Sequence, residues 1–169
     1  MLKTNATNQE KKKARIAHEV FTFNAIVVHL FIPVAIMKFG DSHYALAIPI
    51  LISLAIIFYT YYKTNKVFAT KNSYYLYIHW RWSLNWYKPV LIAYGVSISI
   101  VLIGKLISLN SNTNMADIIN TVFLRIAIAP TFVVILIAFV IISGAMFNSG
   151  RGEIPEKLAK KYPEDKFNN

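Results

Sequence analysis

Acidic residues are nearly absent from the central part of this chain of 169 residues. Between Glu19 and Glu153 only Asp41 and Asp117 are acidic, and four long apolar stretches occupy the same region. Each stretch approaches or exceeds the ~20 apolar residues that a helix needs to cross a hydrocarbon core of ~30 Å. The predicted spans cover residues 20–37, 44–61, 90–107 and 119–146. The pattern predicts an all-α, polytopic integral membrane protein with four transmembrane helices.

The distribution of positive charge predicts how the chain is oriented. Of the 18 lysines and arginines, all but Lys38, Lys105 and Arg125 lie before the first span, between the second and third, or after the fourth. The positive-inside rule assigns such segments to the cytoplasm. We therefore expect an inner (plasma) membrane protein with both termini cytoplasmic. Its predicted parts are a basic N-terminal segment (1–17), a transmembrane domain (18–147) and a cytoplasmic tail (148–169).

Composition excludes several classes of function. The chain has no cysteine, which rules out disulfides, cysteine-ligated zinc, iron–sulfur clusters and thiolate catalysis. Its net charge of +10 would suggest nucleic acid in a soluble protein, but here the membrane topology accounts for it. The first apolar run is too long for a signal peptide and no small-residue cleavage site follows it, so we expect it to remain as a span.

Local signals predict four structural details. Pro33 should bend the outer half of the first span or break its hydrogen bonding. Asn72 or Ser73 is a candidate helix cap, and the tail should contain a helical turn around Glu156–Lys161. One face of the third span carries small side chains that favour close packing on another helix. The members of that face are Ala93, Ser97, Gly104 and Ser108.

The segment between the second and third spans is unusually aromatic and contains all three tryptophans. Aromatic rings beside lysine and arginine favour the headgroup region, so we expect an interfacial helix that enters the third span near Pro89. It either anchors the fold as an aromatic belt or docks a partner or cofactor. Arg125, in the fourth span, either reaches outer-leaflet phosphate or pairs with Asp117, Asp41 or an acid of another subunit. The predicted lipid-interface or partner contacts are Trp80, Arg81, Trp82, Trp86, Lys88 and Arg125.

Four histidines are the first candidates for chemistry. His18 and His79 both belong at the cytoplasmic boundary, and two histidines at equal depth are what a b-type haem requires. His29 lies near mid-membrane, and His43 lies at the outer boundary. Haem b held by His18 and His79, with His29 as a further candidate, is therefore the one alternative cofactor. Otherwise His29 hydrogen-bonds a neighbouring helix and the others are interfacial. We expect no metal site.

The spans lack a complete catalytic or ion-coupling set. No Asp or Glu lies inside a span, and proton relays and cation-coupled transporters commonly use intramembrane carboxylates. There is also no phosphate-binding glycine loop, no HExxH motif and no inverted repeat. We therefore expect no catalytic residues and no enzymatic activity.

The favoured hypothesis is a small accessory or structural subunit of a larger inner-membrane complex, which acts through helix packing and lipid-interface anchoring. His29, Asn24 and Arg125 would then make contacts within or between subunits. The expected partners are membrane lipids, including anionic lipids on the cytoplasmic side, and other membrane subunits or a second copy, with no nucleic acid. The alternatives are a haem b electron-transfer subunit and a small oligomeric channel or carrier, in which Arg125 would favour an anion.

Overall fold

The computed structural model describes residues 1–39 and 44–168 and is almost entirely helical. Four helices are long and apolar enough to cross a membrane, namely Asn8–Ile36, Ala47–Thr70, Tyr74–Ser108 and Thr113–Arg151. The predicted all-α, polytopic membrane fold is therefore confirmed. In chain order the elements are β1 (Leu2–Lys3), α1 (Asn8–Phe23), a π-helical segment (Asn24–Phe31), α2 (Ile32–Phe39), α3 (Tyr44–Thr70), α4 (Tyr74–Ser108), α5 (Thr113–Arg151), β2 (Glu153–Ile154), α6 (Glu156–Lys161) and α7 (Glu164–Asn168).

The helices are longer than a membrane core requires. Helix α4 has 35 residues and α5 has 39, which at the usual rise per residue gives lengths of ~52 Å and ~58 Å. The hydrocarbon core of a bilayer measures only ~30 Å. The extra turns gather at one end of the bundle, where α1 and α4 begin and α3 and α5 end. We call this the basic end and define it as residues 1–18, 62–82 and 148–168.

The aromatic segment is not a separate interfacial helix. It is the first part of α4, which runs without interruption from Tyr74 through Pro89 into the span. Ser73 caps this helix by accepting a hydrogen bond from the backbone N–H of Leu76, which confirms the predicted cap. The segment continues the axis of the third span and does not lie along the membrane surface, because its aromatic side chains are buried against the other helices at the basic end.

The irregularity predicted at Pro33 takes the form of a π-helix. The π-helical segment ends at Phe31, and the backbone N–H of Ile32 donates to the carbonyl of Val27, five residues earlier. Proline lacks the N–H that an α-helix needs and its ring collides with the carbonyl four residues before it, here that of His29. Widening the helix before Pro33 relieves that collision. The α-helical hydrogen-bond pattern therefore changes to a π-helical one just before Pro33 and is not interrupted.

Two apolar clusters form the interior. One lies among the membrane helices and consists of Phe21, Ala25, Tyr87, Val90, Tyr94, Ile135, Ala138 and Ile142. The other lies at the basic end and consists of Ala14, Tyr75, Tyr77, Ile78, Ile154 and Phe167. Because the second cluster takes residues from the tail as well as from α1 and α4, the basic end has a core of its own.

A pair of short strands joins the N-terminal segment to the segment after α5 at the basic end. Strands β1 and β2 are antiparallel, with Leu2 opposite Ile154. Both the backbone N–H and the hydroxyl of Thr4 donate to the carbonyl of Gly152, each at 2.8 Å. Gly152 has φ 76°, a left-handed conformation that glycine adopts without strain, and it ends α5 there. The helical turn predicted at Glu156–Lys161 is confirmed as α6.

The small-residue face of α4 packs against α5, as predicted. Ser97 is fully buried, and its hydroxyl lies 2.9 Å from that of Thr131 on α5. Farther along α4, Gly104 faces the side chain of Phe123 so closely that no β-carbon could be added without a shift. Small side chains therefore set the distance between these two helices.

Candidate functional site

The two histidines predicted at the cytoplasmic boundary lie in direct contact. His18 on α1 and His79 on α4 are both fully buried, and His18 Nε2 lies 2.8 Å from His79 Nδ1. One ring donates and the other accepts, and the tautomers decide which. The sequence therefore located the pair correctly at a common depth. It did not predict that the two rings bond each other.

Aromatic rings surround the histidine pair. Trp82 contacts both rings, with centroid distances of 5.6 Å to His18 and 5.9 Å to His79. Tyr75 packs edge-on against His79 at 4.6 Å. His18 Nδ1 is buried and has no hydrogen-bond partner in the described residues, and the backbone of Glu153 lies beside the His79 ring. Buried polar atoms of this kind are uncommon and mark the pair as a candidate site.

The distance between the His18 and His79 nitrogens can be compared with the spacing that a haem iron requires of its two ligands. Two axial nitrogens on one haem iron stand about 4 Å apart, on opposite faces of the macrocycle. The nitrogens of His18 and His79 are 2.8 Å apart with no group between them. Haem binding would therefore require the two side chains to separate and Trp82 to move. His29 belongs to a different cluster, and His43 lies outside the described residues.

A second polar cluster lies deeper in the membrane. His29 Nδ1 is 2.8 Å from the carbonyl oxygen of Asn24, and His29 Nε2 is hydrogen-bonded to the hydroxyl of Tyr94 on α4. The Tyr94 hydroxyl is also hydrogen-bonded to the hydroxyl of Ser53 on α3, at 2.6 Å. Ser53 also accepts from the Asn24 amide at 2.8 Å. The cluster ties the π-helical segment to α3 and α4, as expected if His29 bonds a neighbouring helix.

Further buried polar atoms lie between the two clusters. Thr22 Oγ1 is buried without a hydrogen-bond partner among the described residues, and the buried Tyr87 hydroxyl lies close to the side chains of Asn24 and Thr60. Tyr87 packs against Phe21, with ring centroids 4.7 Å apart, and so lies between the two clusters in depth. These polar groups therefore form a row that runs from the His18–His79 pair to the level of His29. Its members are His79, His18, Thr22, Tyr87, Asn24, Ser53, Tyr94 and His29, and we call it the polar row.

Only some members of the polar row could be predicted from the sequence. Histidine and asparagine in an apolar span are candidates for a functional role, because placing them in hydrocarbon costs free energy. The sequence alone did not single out the other members, because serine and tyrosine are common in membrane helices. These members are Ser53, Tyr87 and Tyr94. The signal that was available is spacing: Tyr87 and Tyr94 are seven residues apart and share one face of α4.

The residues predicted to contact lipid or a partner differ in how exposed they are. Trp80 is only 4% exposed and lies against Tyr59 of α3, so its contact is internal. Trp82 and Trp86 are half-buried, and Lys88 is exposed. Arg125 is exposed near the outer end of α5 and forms no ion pair with any described carboxylate. Asp41, one of its predicted partners, lies outside the described residues.

Arg81 and Lys88 lie near Tyr162 in the loop between α6 and α7. The Arg81 guanidinium carbon is 4.8 Å from the centre of the Tyr162 ring. Burial tends to raise the pKa of Tyr162, but hydrogen bonding to Arg81 and the charges of Arg81, Lys161 and Lys88 outweigh it and lower that pKa. The lowered pKa indicates a local field that favours negative charge.

Two larger depressions are present on the surface. A crevice of about 970 Å³ at the basic end has a mixed polar and apolar lining, which includes Glu10, Lys71, Lys160 and Glu164. A groove of about 870 Å³ runs between α4 and α5 and is lined almost entirely by apolar side chains. In the described part of the chain, no three histidine or acidic side chains converge as metal ligands would.

No protein-family model, curated protein or solved structure matches this chain significantly. The geometry of the described residues is therefore the basis for any functional argument.

Proposed function

We propose that this protein is a small non-catalytic subunit of a larger inner-membrane complex, with both termini in the cytoplasm. The observation that carries the proposal is the use of intramembrane polar groups as contacts between helices. His29 bonds Tyr94, Asn24 bonds Ser53 and Ser97 bonds Thr131, so each pair joins two helices. Groups engaged in this way hold a bundle together and are not presented to a substrate.

The outward surfaces support the same proposal. The membrane helices present mainly apolar side chains, with Phe58 70% and Ile92 69% exposed. The basic end is a folded unit that extends past the membrane core and carries most of the positive charge. A subunit that works by association needs a stable membrane anchor and a structured surface outside the membrane, and this chain has both.

The test is deletion of the chain in its native cell, followed by native electrophoresis of the membrane in mild detergent. We expect a larger complex to lose stability or assembly while its cofactor chemistry remains. Re-expression of the chain should restore the complex. A protein that is monomeric in mild detergent and active alone in liposomes would overturn the proposal.

The polar row favours a second candidate, a small channel or carrier for protons. Histidine, tyrosine and hydroxyl groups can pass protons along hydrogen bonds, and the hydroxyl groups of Thr22 and Tyr87 are buried between the two bonded clusters of the row. A cavity of about 40 Å³ beside His29, Pro33 and Thr131 is large enough for a single water molecule. Liposomes loaded with a pH-sensitive dye test this candidate: proton flux that His29→Phe abolishes and Tyr61→Phe does not would support it.

A further inference from the structure

The groove between α4 and α5 opens on the membrane-facing surface. Its walls are aliphatic side chains and two prolines, and the polar residues that line it among those the structure describes stand at one end. From α4 it takes Pro89, Ile92, Ala93, Val96 and Ile100, and from α5 it takes Ile126, Ala129, Pro130, Val133 and Val134. A groove of this composition within the hydrocarbon region suits acyl chains.

The polar end of the groove lies toward the basic end. Asn85 and Lys88 line it there, and Lys88 is exposed. Arg81 lies one turn before Asn85, nearer the start of α4. The spacing of Arg81, Asn85 and Lys88 places all three on one helix face. Ile92 and Val96 continue the same face into the membrane. One surface therefore presents cations at headgroup level and an apolar trough below them.

Electrostatics at this end favour an anion. Arg81 and Lys88 form no ion pair with any carboxylate in the described ranges 1–39 and 44–168. The nearby Tyr162 ring lies under the Arg81 guanidinium, and the surrounding cations favour its ionised form. Lys161 adds a third positive charge to the same region. Two or more cations without carboxylate partners make a site for a phosphate group.

We propose that this groove binds one anionic phospholipid, with its phosphate at Lys88 and Asn85, Arg81 at the rim, and its acyl chains between α4 and α5. Charge complementarity selects this occupant. A partner helix or a second copy would fill the apolar trough but would need a carboxylate of its own beside Lys88 to supply the counter-charge. The inference does not depend on the accessory role, since a channel could hold the same lipid.

The test uses the full-length protein, stripped of lipid in a neutral detergent and then titrated with defined lipids under native mass spectrometry. We expect one phosphatidylglycerol per chain, bound at least tenfold more tightly than phosphatidylcholine. Lys88→Gln should weaken phosphatidylglycerol binding about fivefold, because a cation near a lipid surface contributes to that extent. Lys105→Gln, at the opposite end of α4, is the matched control and should leave binding unchanged.

Two further variants of the experiment separate the occupants. Ala129→Trp should fill the trough and abolish binding of the lipid, with a thermal melt to show that the variant is folded. Glycerol 3-phosphate, which has the phosphate but no acyl chain, should not displace the lipid at millimolar concentration. Equal affinity for the two phospholipids, displacement by glycerol 3-phosphate, an unaffected Lys88→Gln variant, or a dimer that Ala129→Trp dissociates would each overturn the inference.

Discussion

His18 Nε2 lies 2.8 Å from His79 Nδ1, across the interface between α1 and α4 and 61 residues apart in the sequence. Both rings are fully buried, so neither can exchange its partner for water. The hydroxyl of Ser83 donates to the carbonyl of Ala17 at 2.9 Å and joins the same two helices close by. The pair therefore fixes the register of α1 against α4 at the basic end.

The first prediction concerns this pair. Replacing either His18 or His79 by Phe leaves the other ring buried without a partner, which should cost about 1–3 kcal/mol of unfolding free energy. The double variant should cost less than the sum of the two single variants, because both polar groups are removed together. Denaturant unfolding in mild detergent measures the three values.

Strict additivity of the two single variants would contradict a direct bond between the rings. Ser143→Ala is the control, since Ser143 is exposed and bonds only the carbonyl of Phe139 in its own helix. The same purified protein tests the haem alternative. A Soret band that His18→Phe or His79→Phe abolishes would support haem in place of the direct contact.

The second prediction concerns Tyr94. Its hydroxyl is hydrogen-bonded to both Ser53 and His29, so Tyr94→Phe removes two contacts between helices without changing the shape of the ring. Such bonds contribute about 0.6 kcal/mol on average in membrane proteins, and the loss should be about 1–2 kcal/mol. Tyr61→Phe is the matched control because Tyr61 is 52% exposed. Equal melting temperatures for the two variants would contradict the described network.

The third prediction concerns two glycines of α4. A methyl group at Gly104 would overlap the Cβ and Cγ atoms of Phe123, which are close to the backbone and cannot simply rotate away. Gly104→Ala should therefore destabilise the protein by about 1–3 kcal/mol. Gly95 has no atom within 4 Å of an added β-carbon, so Gly95→Ala should be neutral or slightly stabilising. Comparable losses in both variants would show that α4 and α5 do not approach as described.

The fourth prediction concerns orientation and follows from the positive-inside rule. The chain has no cysteine, so single cysteines report on one position each. Ser111→Cys, before α5, should react with an impermeant thiol reagent added from outside the cell. Lys157→Cys, exposed on α6, should react only after the membrane is opened. The reverse pattern would place the basic end outside.

The membrane helices could be predicted from sequence because their signal is local. Long apolar runs without charge identify helices such as α5 before any tertiary contact is known. Ser73 and Glu156–Lys161 were also predictable, since caps and short helical turns depend on neighbouring residues. The exact length of the π-helical segment was not, because Pro33 indicates where a helix is disturbed but not how far the disturbance extends.

Contacts between distant segments could not be predicted from sequence. Trp80 was expected at the lipid interface, but Tyr59 of α3 covers it, and the sequence contains no signal that brings these residues together. The same holds for the bonds of Tyr94 with Ser53 and His29. The depth of a residue follows from its position in a span, whereas its neighbours depend on how the helices are arranged.

Pairing of Leu2 with Ile154 has a consequence for the order of events during synthesis. The ribosome makes β1 first, and at typical elongation rates β2 follows about 8–30 s later. During that interval the earlier membrane helices can insert while Tyr75 and Ile78 still lack the cover that Ile154 and Phe167 provide. The core of the basic end therefore forms only after translation has passed the last membrane helix. A chain truncated before residue 153 would keep its four membrane helices yet expose an aromatic surface that cellular quality control could recognise.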